Sequence, residues 1–285
     1  MVSKSTRFGI TGASGFVGSH LKSALENQYS VTQFKRKRGE ALPNIDRLQE
    51  FARKTDVVFH LAGVNRGTEE EITTGNILWT YRLVQALKSV KPSPRIIFAS
   101  SSQVYRPIHR PLKERDKPKP ESLYGFAKLS AEEILLASGL DCIILRLSNV
   151  YGPGCRPNYN SVIATFCHRS MNQKPLTING DGSQGRDFVY VDDIVRAFLL
   201  SVNIKSRTRT FNVSSGKIVS LRKILNQINN RSSGLQVEYN KNADMGGLSY
   251  CCDFSRFKKQ CGWAPKVSLK KGIDNTLDFF KNATN

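Results

Sequence analysis

The chain lacks the features that mark membrane-spanning, secreted and metal-binding proteins. It has no run of eighteen or more apolar residues, so we expect no membrane span. Its N-terminus leads directly into a predicted strand, without the apolar stretch of a signal peptide. Its cysteines show no metal-ligand spacing and are too sparse for a disulfide scaffold, which predicts reduced packing residues, no metal and a cytoplasmic location. They are Cys142, Cys155, Cys167, Cys251, Cys252 and Cys261.

Acidic residues are also scarce. The 23 Asp and Glu residues face 43 Lys and Arg residues, which gives a formal net charge of +20. The cations are spread along the chain and no nucleic-acid-binding motif is present, so a basic solvated surface is favoured over nucleic-acid binding. A basic cleft would attract a phosphate-bearing ligand. With 285 residues and 39% hydrophobic content, the chain can bury one large core or two unequal lobes.

A strand, a glycine-rich turn and a helix are predicted at the start of the chain. The run from 7 to 11 is rich in apolar residues, and a second predicted strand covers 30 to 34. Between them, the spacing G-x-x-G-x-x-G is given by Gly12, Gly15 and Gly18. Glycines there let backbone N–H groups approach a pyrophosphate at a helix N-terminus, although glycines also simply make turns. The order strand, turn, helix, strand predicts dinucleotide binding.

A tyrosine and a lysine are spaced for proton transfer. Tyr124 and Lys128 form Y-x-x-x-K, about twenty residues after the run Ser100-Ser101-Ser102. On a helix the two side chains share one face, one turn apart. An ammonium group beside a phenol favours the phenolate, so we expect the tyrosine to exchange a proton near neutral pH. The alternative is a surface Tyr/Lys pair, since this spacing alone occurs by chance.

Predicted strands and helices alternate through the first half of the chain. Strands are predicted near 6–11, 30–34, 56–61, 95–100 and 142–147, and helices near 15–27, 45–54, 69–90 and 122–138. This alternation predicts an α/β protein with a parallel sheet, helices on both faces and a site at the C-terminal ends of the strands. The short stretch before His60 predicts that the usual third crossover is shortened or absent.

These residues together resemble the extended short-chain dehydrogenase/reductase superfamily, in its NAD-dependent epimerase/dehydratase family of nucleotide-sugar enzymes. The resemblance covers nearly the whole chain. The matching segments read HLAG at 60–63, SSSQVY at 100–105, NVYGPG at 149–154, GRDFVYVDD at 185–193, FNVSSG at 211–216 and GWAPKVSL at 262–269.

The resemblance implies a Rossmann-like doubly wound parallel sheet with a smaller, discontinuous C-terminal substrate-binding lobe. We expect 1–150 to form the dinucleotide-binding domain, joined by returning segments at about 184–210 and 243–261. The range 151–285 would mainly form the substrate lobe. A homodimer is also implied, through the helices near 69–90 and 122–138.

The resemblance implies roles for individual residues. In catalysis, Tyr124 exchanges the hydroxyl proton, Lys128 tunes Tyr124 and binds the nicotinamide ribose, and Ser101 hydrogen-bonds the sugar oxygen. The expected cofactor-binding residues are Gly12, Ser14, Gly15, Phe16, Val17, Gly18, Lys35, Arg36, Leu61, Ala62, Gly63, Asn76, Ser100, Tyr124 and Lys128. The expected substrate-binding residues are Ser101, Ser102, Tyr124, Asn149, Asn160, Arg186 and Lys241.

Two of the expected substrate contacts have open alternatives. Arg186 would hold a diphosphate with its bidentate guanidinium, or would pair with Asp192 or Asp193 instead. Lys241 stands where the family pattern has an arginine, which puts that phosphate contact in doubt.

The end of the second predicted strand indicates the cofactor. NAD enzymes of this fold place an Asp or Glu there to accept hydrogen bonds from the ribose hydroxyls. Four consecutive cationic residues occupy that region here, and the first acidic residue after them is Glu40. The four are Lys35, Arg36, Lys37 and Arg38. These cations would suit a 2′-phosphate, which favours NADP(H), with Arg36 as the first candidate and NAD(H) as the alternative.

The serine run narrows the reaction. Family dehydratases follow the catalytic Ser/Thr with Asp and Glu, and here Ser102 and Gln103 stand in those places, so dehydration is not expected. The favoured activity is an NADPH-dependent 4-keto-sugar reductase acting on a nucleotide-diphosphate sugar, with UDP as the expected nucleotide. The alternatives are a UDP-hexose 4-epimerase that keeps tightly bound NAD and, more remotely, a non-catalytic dinucleotide sensor. The segments 60–66 and 155–167 are similar to capsule and O-antigen UDP-4-keto-sugar reductases.

Overall fold

The structure is a computed structural model that describes residues 3–37, 39–159, 161–205, 209–231, 235–240 and 247–283. Two of the expected substrate residues, Asn160 and Lys241, lie outside the described residues, as does the basic residue Arg38.

Strands and helices alternate as expected, within two residues of the predicted boundaries. The strands are β1 (Arg7–Thr11), β2 (Ser30–Phe34), β3 (Val57–His60), β4 (Arg95–Ser101), β5 (Cys142–Leu147), β6 (Asn149–Tyr151), β7 (Leu176–Asn179), β8 (Gly185–Arg186), β9 (Phe188–Tyr190), β10 (Thr210–Val213), β11 (Val219–Ser220) and β12 (Val237–Asn240). The α-helices are α1 (Phe16–Glu26), α2 (Ile45–Arg53), α3 (Glu69–Thr73), α4 (Trp79–Lys88), α5 (Leu123–Ala137), α6 (Val162–Met171), α7 (Val191–Ser201), α8 (Leu221–Asn229), α9 (Ser255–Cys261) and α10 (Leu269–Asn282).

The predicted doubly wound sheet is confirmed. Six parallel strands lie in the order β2-β1-β3-β4-β5-β10. The chain winds outward from β1 in one direction and from β3 in the other, so ligands are expected where these two strand ends diverge. Beyond β2 the described residues contain no further strand of this sheet, although α2 is retained. The expected shortening of the third crossover is therefore the loss of its strand.

Each face of the sheet is covered by its own apolar cluster. Side chains of successive residues alternate between the faces, so Ile96 packs in one cluster and Ile97 in the other. The Ile97 face is covered by α1, α7 and α9, and the Ile96 face by α2, α4 and α5. Every residue of β3 and β5 is buried, and burial on both faces explains why these strands are mostly apolar rather than alternating between apolar and polar residues.

A third apolar cluster lies in the C-terminal half. It is built from α6, α8 and α10, and includes Leu176 and Ile178 of β7, which pairs with β12. By contrast, α7 packs on the large sheet and β10 joins its edge beside β5. We propose on this packing that the chain forms the two lobes expected from the sequence, with the change of lobe after β5.

The predicted helix at 69–90 is not uniform. It consists of α3, a π-helical turn (Thr74–Leu78) and α4. A π-turn inserts one extra residue into a helix and is frequently found at functional sites. Asn76, an expected cofactor residue, lies within this turn.

Candidate active site

Close packing around the first turn explains why it is made of glycine. Gly12 has a φ of 76°, and a Cβ there would lie 2.7 Å from the backbone nitrogen of Ala62. A Cβ at Gly18 would lie 2.0 Å from the Gly12 carbonyl oxygen. Gly15 caps α1 without a side-chain hydrogen bond. The helix N-terminus is therefore held close to β3 with donors available to an anion, an arrangement that fits a dinucleotide pyrophosphate.

Two adjoining cavities lie at the C-terminal ends of the strands. The first cavity, of about 590 Å³, and the second cavity, of about 470 Å³, share walls formed by the glycine turn and by Leu61 and Gly63. The expected residues lining the first cavity are Gly12, Ser14, Gly15, Phe16, Val17, Gly18, Leu61, Gly63, Ser100, Ser101, Ser102, Tyr124, Lys128 and Asn149. The expected residues lining the second are Gly12, Ser14, Gly15, Lys35, Arg36, Leu61, Ala62 and Gly63.

Tyr124 and Lys128 lie one turn apart near the start of α5. The hydroxyl of Ser122 caps this helix by accepting from the Gly125 N–H at 3.1 Å. The Lys128 Nζ lies 4.6 Å from the centre of the Phe98 ring and 5.9 Å from that of Tyr124. Burial lowers the pKa of Lys128 to about 8, against the opposing charge of Glu132.

The expected lowering of the Tyr124 pKa is wrong for the free protein. Burial, with a smaller contribution from Tyr159, raises the pKa of the Tyr124 phenol above its usual value. The physical reason is that the enclosed site disfavours the phenolate, and the Lys128 ammonium lies closer to Phe98 than to the tyrosine ring. The neutral phenol of the free protein is a proton donor.

The three serines at the end of β4 have different surroundings. Ser100 donates a hydrogen bond to Glu132 of α5, so its side chain is already engaged. The Ser101 hydroxyl accepts from the Gln103 N–H at 3.2 Å and lines the first cavity. The Ser102 hydroxyl lies 3.2 Å from the Tyr250 hydroxyl. Among the three, Ser101 is the one whose hydroxyl can still donate to a substrate oxygen without breaking a side-chain contact.

A buried ionic network lies behind the serine run. Arg146 of β5 donates to both carboxylate oxygens of Glu132, at 2.6 and 3.0 Å, and donates to the Tyr105 hydroxyl at 2.7 Å. Tyr105 in turn donates to Asn212 of β10 at 2.9 Å. These contacts tie the helix that carries Tyr124 to β5, to β10 and to Tyr105 in the segment that follows β4.

Basic side chains line one end of the second cavity. Lys35 and Arg36 line it, whereas Glu40, the first acid in the sequence after β2, is bound to other groups. The Glu40 carboxylate accepts from the Lys37 backbone N–H at 2.8 Å and from the Arg47 guanidinium at 3.2 Å. Glu40 is thereby held as a loop-forming residue rather than as a free acceptor for ribose hydroxyls.

Asn76 presents an unused acceptor beside Lys128. Its side-chain nitrogen donates to the carbonyls of Val64 and Ile72, each at 2.8 Å. Its Oδ1 is buried and has no hydrogen-bond partner among the described residues. A Cβ at Gly63 would lie 2.7 Å from this oxygen and 3.3 Å from the Lys128 Nζ, so both polar atoms approach the same glycine. Buried acceptors are rarely left unpaired, which supports a bound ligand here.

His60 joins the glycine turn to the π-turn. The Thr80 hydroxyl donates to the Asn76 carbonyl at 2.6 Å, so at 2.9 Å from the His60 Nε2 it acts as an acceptor. Nε2 therefore carries the proton, and Nδ1 accepts from the Thr11 hydroxyl at 2.7 Å. The ring stacks between Trp79 and Phe98. His60 is therefore neutral, and its role is structural, because it links Thr11 to Thr80.

The residues expected on the substrate diphosphate are only partly brought together. Asn149 lines the first cavity, and its side-chain nitrogen donates to the Asp187 carbonyl at 2.9 Å. Arg186 is not among the residues lining either cavity, and it donates to the Gly185 carbonyl at 2.8 Å. Asp193 receives the guanidinium of Arg196 and backbone N–H groups of the segment 266–267.

Several residues that line the first cavity were not predicted from the sequence. They are Ser19, Asn65, Arg66, Ala99, Gln103, Leu147, Ser148, Val150, Gly154, Arg156 and Tyr159. Most directly follow a predicted strand or belong to a quoted motif. That position was the signal that could have identified them, since strand ends of a parallel sheet meet at one edge.

Fold and site together fit an α/β enzyme whose glycine turn is suited to a dinucleotide and whose Tyr/Lys pair is suited to proton transfer. The family model described as the NAD dependent epimerase/dehydratase family matches residues 9–214, and the chain belongs to this family. Within the described ranges, no helix has both the length and the apolar character needed to cross a bilayer.

Two curated proteins illustrate the relationship. A UDP-2-acetamido-2,6-beta-L-arabino-hexul-4-ose reductase from Pseudomonas aeruginosa is 36% identical over 195 residues, which cover 67% of this chain and 48% of that protein. This chain thus matches about half of that relative. A putative UDP-glucose 4-epimerase from Methanocaldococcus jannaschii is 31% identical over 304 aligned positions, covering 96% of this chain and 98% of that protein.

Among solved structures, a UDP-glucuronic acid 4-epimerase from Bacillus cereus, in complex with UDP-glucuronic acid and NAD, has a TM-score of 0.86. It is 26% identical, and the superposition covers 97% of this chain and 99% of that chain. The relatives thus include both reductases and epimerases that act on nucleotide sugars.

Proposed function

We propose that this protein is an NADPH-dependent reductase of a 4-keto nucleotide sugar, with UDP as the nucleotide. The observation that carries the cofactor choice is the basic end of the second cavity, where Lys35 and Arg36 line the wall and Glu40 is bound by Arg47. A 2′-phosphate would pair with the two cations, whereas a free 2′-hydroxyl would lack a carboxylate acceptor. The similarity to a 4-ketohexose reductase supports the same reaction class.

Different residues of the first cavity would have different roles in the reduction of a ketone. NADPH bound along the two cavities would supply the hydride. Ser101 would donate a hydrogen bond to the ketone oxygen and polarise it, and the neutral Tyr124 phenol would deliver the proton to that oxygen. Lys128, as an ammonium group, would stabilise the resulting phenolate and bind the nicotinamide ribose. Ser100 would contact the cofactor, and Ser102 would contact the sugar.

The diphosphate of the substrate would lie in the second lobe. We propose Asn149, Asn160, Arg186 and Lys241 as its contacts, as the family resemblance implies. Arg186 does not line either of the two cavities, so its proposed contact would be with a part of the nucleotide sugar that lies outside them.

A 4-epimerase is the second candidate, since the Methanocaldococcus and Bacillus relatives are described as 4-epimerases and align over nearly the whole chain. An epimerase oxidises and re-reduces the same carbon, so it would retain NAD through purification. A reductase must exchange its cofactor after every turnover.

The deciding experiment is the identity and affinity of the dinucleotide. We would denature the purified protein, identify any released dinucleotide, and titrate the apoprotein with NADPH and NADH. Exchangeable NADPH that binds much more tightly than NADH, followed by its oxidation with a UDP-4-keto-6-deoxyhexose, supports the reductase. Tightly retained NAD contradicts it and favours the epimerase.

A matched pair of variants tests the phosphate contact. Arg36→Gln should weaken NADPH binding about tenfold or more while leaving NADH binding within twofold, because a charge-assisted contact to the 2′-phosphate is lost. Arg53→Gln, at an exposed arginine at the end of α2, should change neither. Equal effects of Arg36→Gln on both dinucleotides would contradict the proposed contact.

A further inference from the structure

Ser148 holds a fixed position at the edge where the proposed chemistry occurs. It directly follows β5, and its backbone N–H donates to the Val213 carbonyl of β10 at 3.0 Å. In the register of the sheet, the preceding residue Leu147 pairs with Ser101 of β4. Ser148 therefore lies beside the serine run, and it lines the first cavity together with Tyr124.

The hydroxyl of Ser148 is buried and unused. The residue is only 5% exposed, yet its Oγ has no hydrogen-bond partner among the described residues. Other buried serines differ, for example Ser201, whose hydroxyl donates to the Phe198 carbonyl at 2.6 Å. Leaving a buried hydroxyl unpaired costs free energy in the unbound protein, and this cost is recovered when a ligand supplies the missing partner.

The chemistry of the expected ligands indicates which ligand group would hydrogen-bond the Ser148 hydroxyl. A hydroxyl can donate and accept at once, which matches a carboxamide, with its carbonyl acceptor and N–H donors. In nicotinamide the carboxamide is attached to ring carbon C3, next to the C4 that exchanges hydrogen with the substrate. The sugar oxygen at the reacting carbon already has Ser101 and Tyr124 as proposed partners, and Ser102 is paired with Tyr250.

We propose that the Ser148 hydroxyl is a cofactor-positioning contact that hydrogen-bonds the carboxamide of the bound nicotinamide. This inference rests on the proposed function only for the use of a nicotinamide dinucleotide. It holds equally for a reductase and an epimerase. A contact to the carboxamide fixes which face of the pyridine ring is turned toward Tyr124 and Ser101.

The test compares two buried serines with opposite expectations. Ser148→Ala removes an unpaired oxygen, so the apoprotein should keep or raise its Tm. Its Kd for NADPH, measured by nicotinamide fluorescence, should rise about three- to tenfold, as expected for one neutral hydrogen bond. Ser201→Ala, which breaks an existing hydrogen bond away from the cavities, should lower the Tm and leave the Kd unchanged.

A cofactor fragment separates the carboxamide contact from a general disturbance of the cavity. 2′-Phospho-ADP-ribose contains every part of NADP except the nicotinamide, so Ser148→Ala should bind it as tightly as the wild type. If the wild type binds NADH more tightly than NADPH, the same comparison is made with NADH in place of NADPH and ADP-ribose in place of 2′-phospho-ADP-ribose. UDP binding should also be unchanged.

Three results would overturn the inference. They are an unchanged Kd for the dinucleotide in Ser148→Ala, equal weakening of the dinucleotide and its fragment, and weaker substrate binding with normal dinucleotide binding. The last result would assign Ser148 to the sugar instead. Failure of the proposed function is distinguishable, because a protein that binds NADPH but reduces no 4-keto sugar still gives a clear answer on Ser148.

Discussion

Tyr124 is the residue on which the proposed proton transfer depends most directly. Tyr124→Phe removes the hydroxyl and keeps the ring, so we expect kcat to fall by about 10²- to 10⁴-fold. The Kd for NADPH should stay within about twofold, because Lys128 and the glycine turn remain. Steady-state kinetics and fluorescence titration measure the two quantities. Tyr239→Phe, at a half-exposed tyrosine of β12, should change neither of them.

The outcome also separates an enzyme from a dinucleotide sensor. Full turnover in Tyr124→Phe would exclude the proposed role of the phenol. A wild-type protein that binds NADPH but turns over none of the candidate nucleotide sugars would favour the sensor.

His60 makes stability depend on pH. Burial, and then the charge of Lys128, lower the pKa of His60 from 6.5 to about 3. Between these values the unfolded chain binds the proton and the folded one does not, so stability is present above pH 6.5 and decreases as the pH falls toward 3. The slope is at most about 1.4 kcal/mol per pH unit for one such group. Chemical denaturation at pH 6.5 and pH 5 should show a loss of about 1.6 kcal/mol from this residue.

Variants at two histidines isolate this contribution. His60→Gln should be less stable at neutral pH, because its hydrogen bonds and ring stacking are lost, but should show a shallower dependence between pH 6.5 and 5. His109→Gln, at an exposed histidine, should keep the wild-type slope. Equal slopes in all three proteins would mean that His60 binds its proton in the folded state.

The residues that sequence analysis could identify are those whose chemistry depends on local spacing. Gly12, Tyr124 and Lys128 were predicted from separations of a few residues within one turn or one helix. Glu132 and Ser148 were not, because their roles depend on register between strands. The pairing of Ser101 with Leu147 brings together residues 46 positions apart, and nothing in the local sequence specifies that alignment. Likewise, the raised pKa of Tyr124 results from burial, which the Y-x-x-x-K spacing does not indicate.

At the scale of elements, α5 is held against the sheet by an ion pair as well as by apolar packing. Glu132 is fully buried, and its charge is compensated by Arg146. Arg146→Met leaves this carboxylate without its partner, so we expect a loss of about 3–5 kcal/mol in the free energy of unfolding. The double variant Glu132→Leu/Arg146→Met, which removes both charges, should recover most of that loss. Urea denaturation measures both.

An exposed ion pair serves as the control for this prediction. Arg222→Met removes the partner of Asp181 in an ion pair whose two side chains are both exposed, and it should leave stability close to that of the wild type. A double variant that is no more stable than Arg146→Met would show that the network contributes by shape and hydrogen bonding rather than by charge compensation.

The helix predicted at 69–90 shows what an apolar pattern can and cannot specify. Its pattern continues through the region, so the sequence predicts one element, and the structure has one continuous helical segment. The π-turn within it depends on tertiary contacts, since Asn76 bonds to the Val64 carbonyl and Thr80 to His60. Such contacts come from β3 and its loop, which local periodicity does not describe. That the described ranges hold no sheet strand beyond β2 was predictable, because it depends on the number of residues available before β3.

At the scale of the whole molecule, an apolar surface supports the proposed homodimer. Five large apolar side chains are exposed on the segment Thr74–Lys88 and on α5, namely Leu78, Tyr81, Leu123, Phe126 and Leu136. Large apolar side chains exposed on two neighbouring helical segments are typical of interfaces between protein chains. The two helices carrying them are those through which dimerisation is expected from the family resemblance.

A charge placed on this surface tests the proposed dimer. Phe126→Glu should shift the protein from dimer to monomer in sedimentation velocity runs at micromolar concentration, because a carboxylate would be buried without a partner. Phe279→Glu, on the exposed face of α10, should leave the dimer intact. A monomeric wild type at working concentration would contradict the proposal.

The lost strand beyond β2 has a consequence for solubility. In the described part of the chain, β2 ends the sheet, so it has a row of backbone donors and acceptors that a strand of another molecule could extend. The exposed cations Lys35, Arg36 and Lys37 follow it directly and would repel the same edge of a second copy. The side chains proposed to select the cofactor would thus also protect the sheet from edge-to-edge aggregation. Exchanging them for acids to favour NAD would therefore be tolerated better than replacing them with neutral residues.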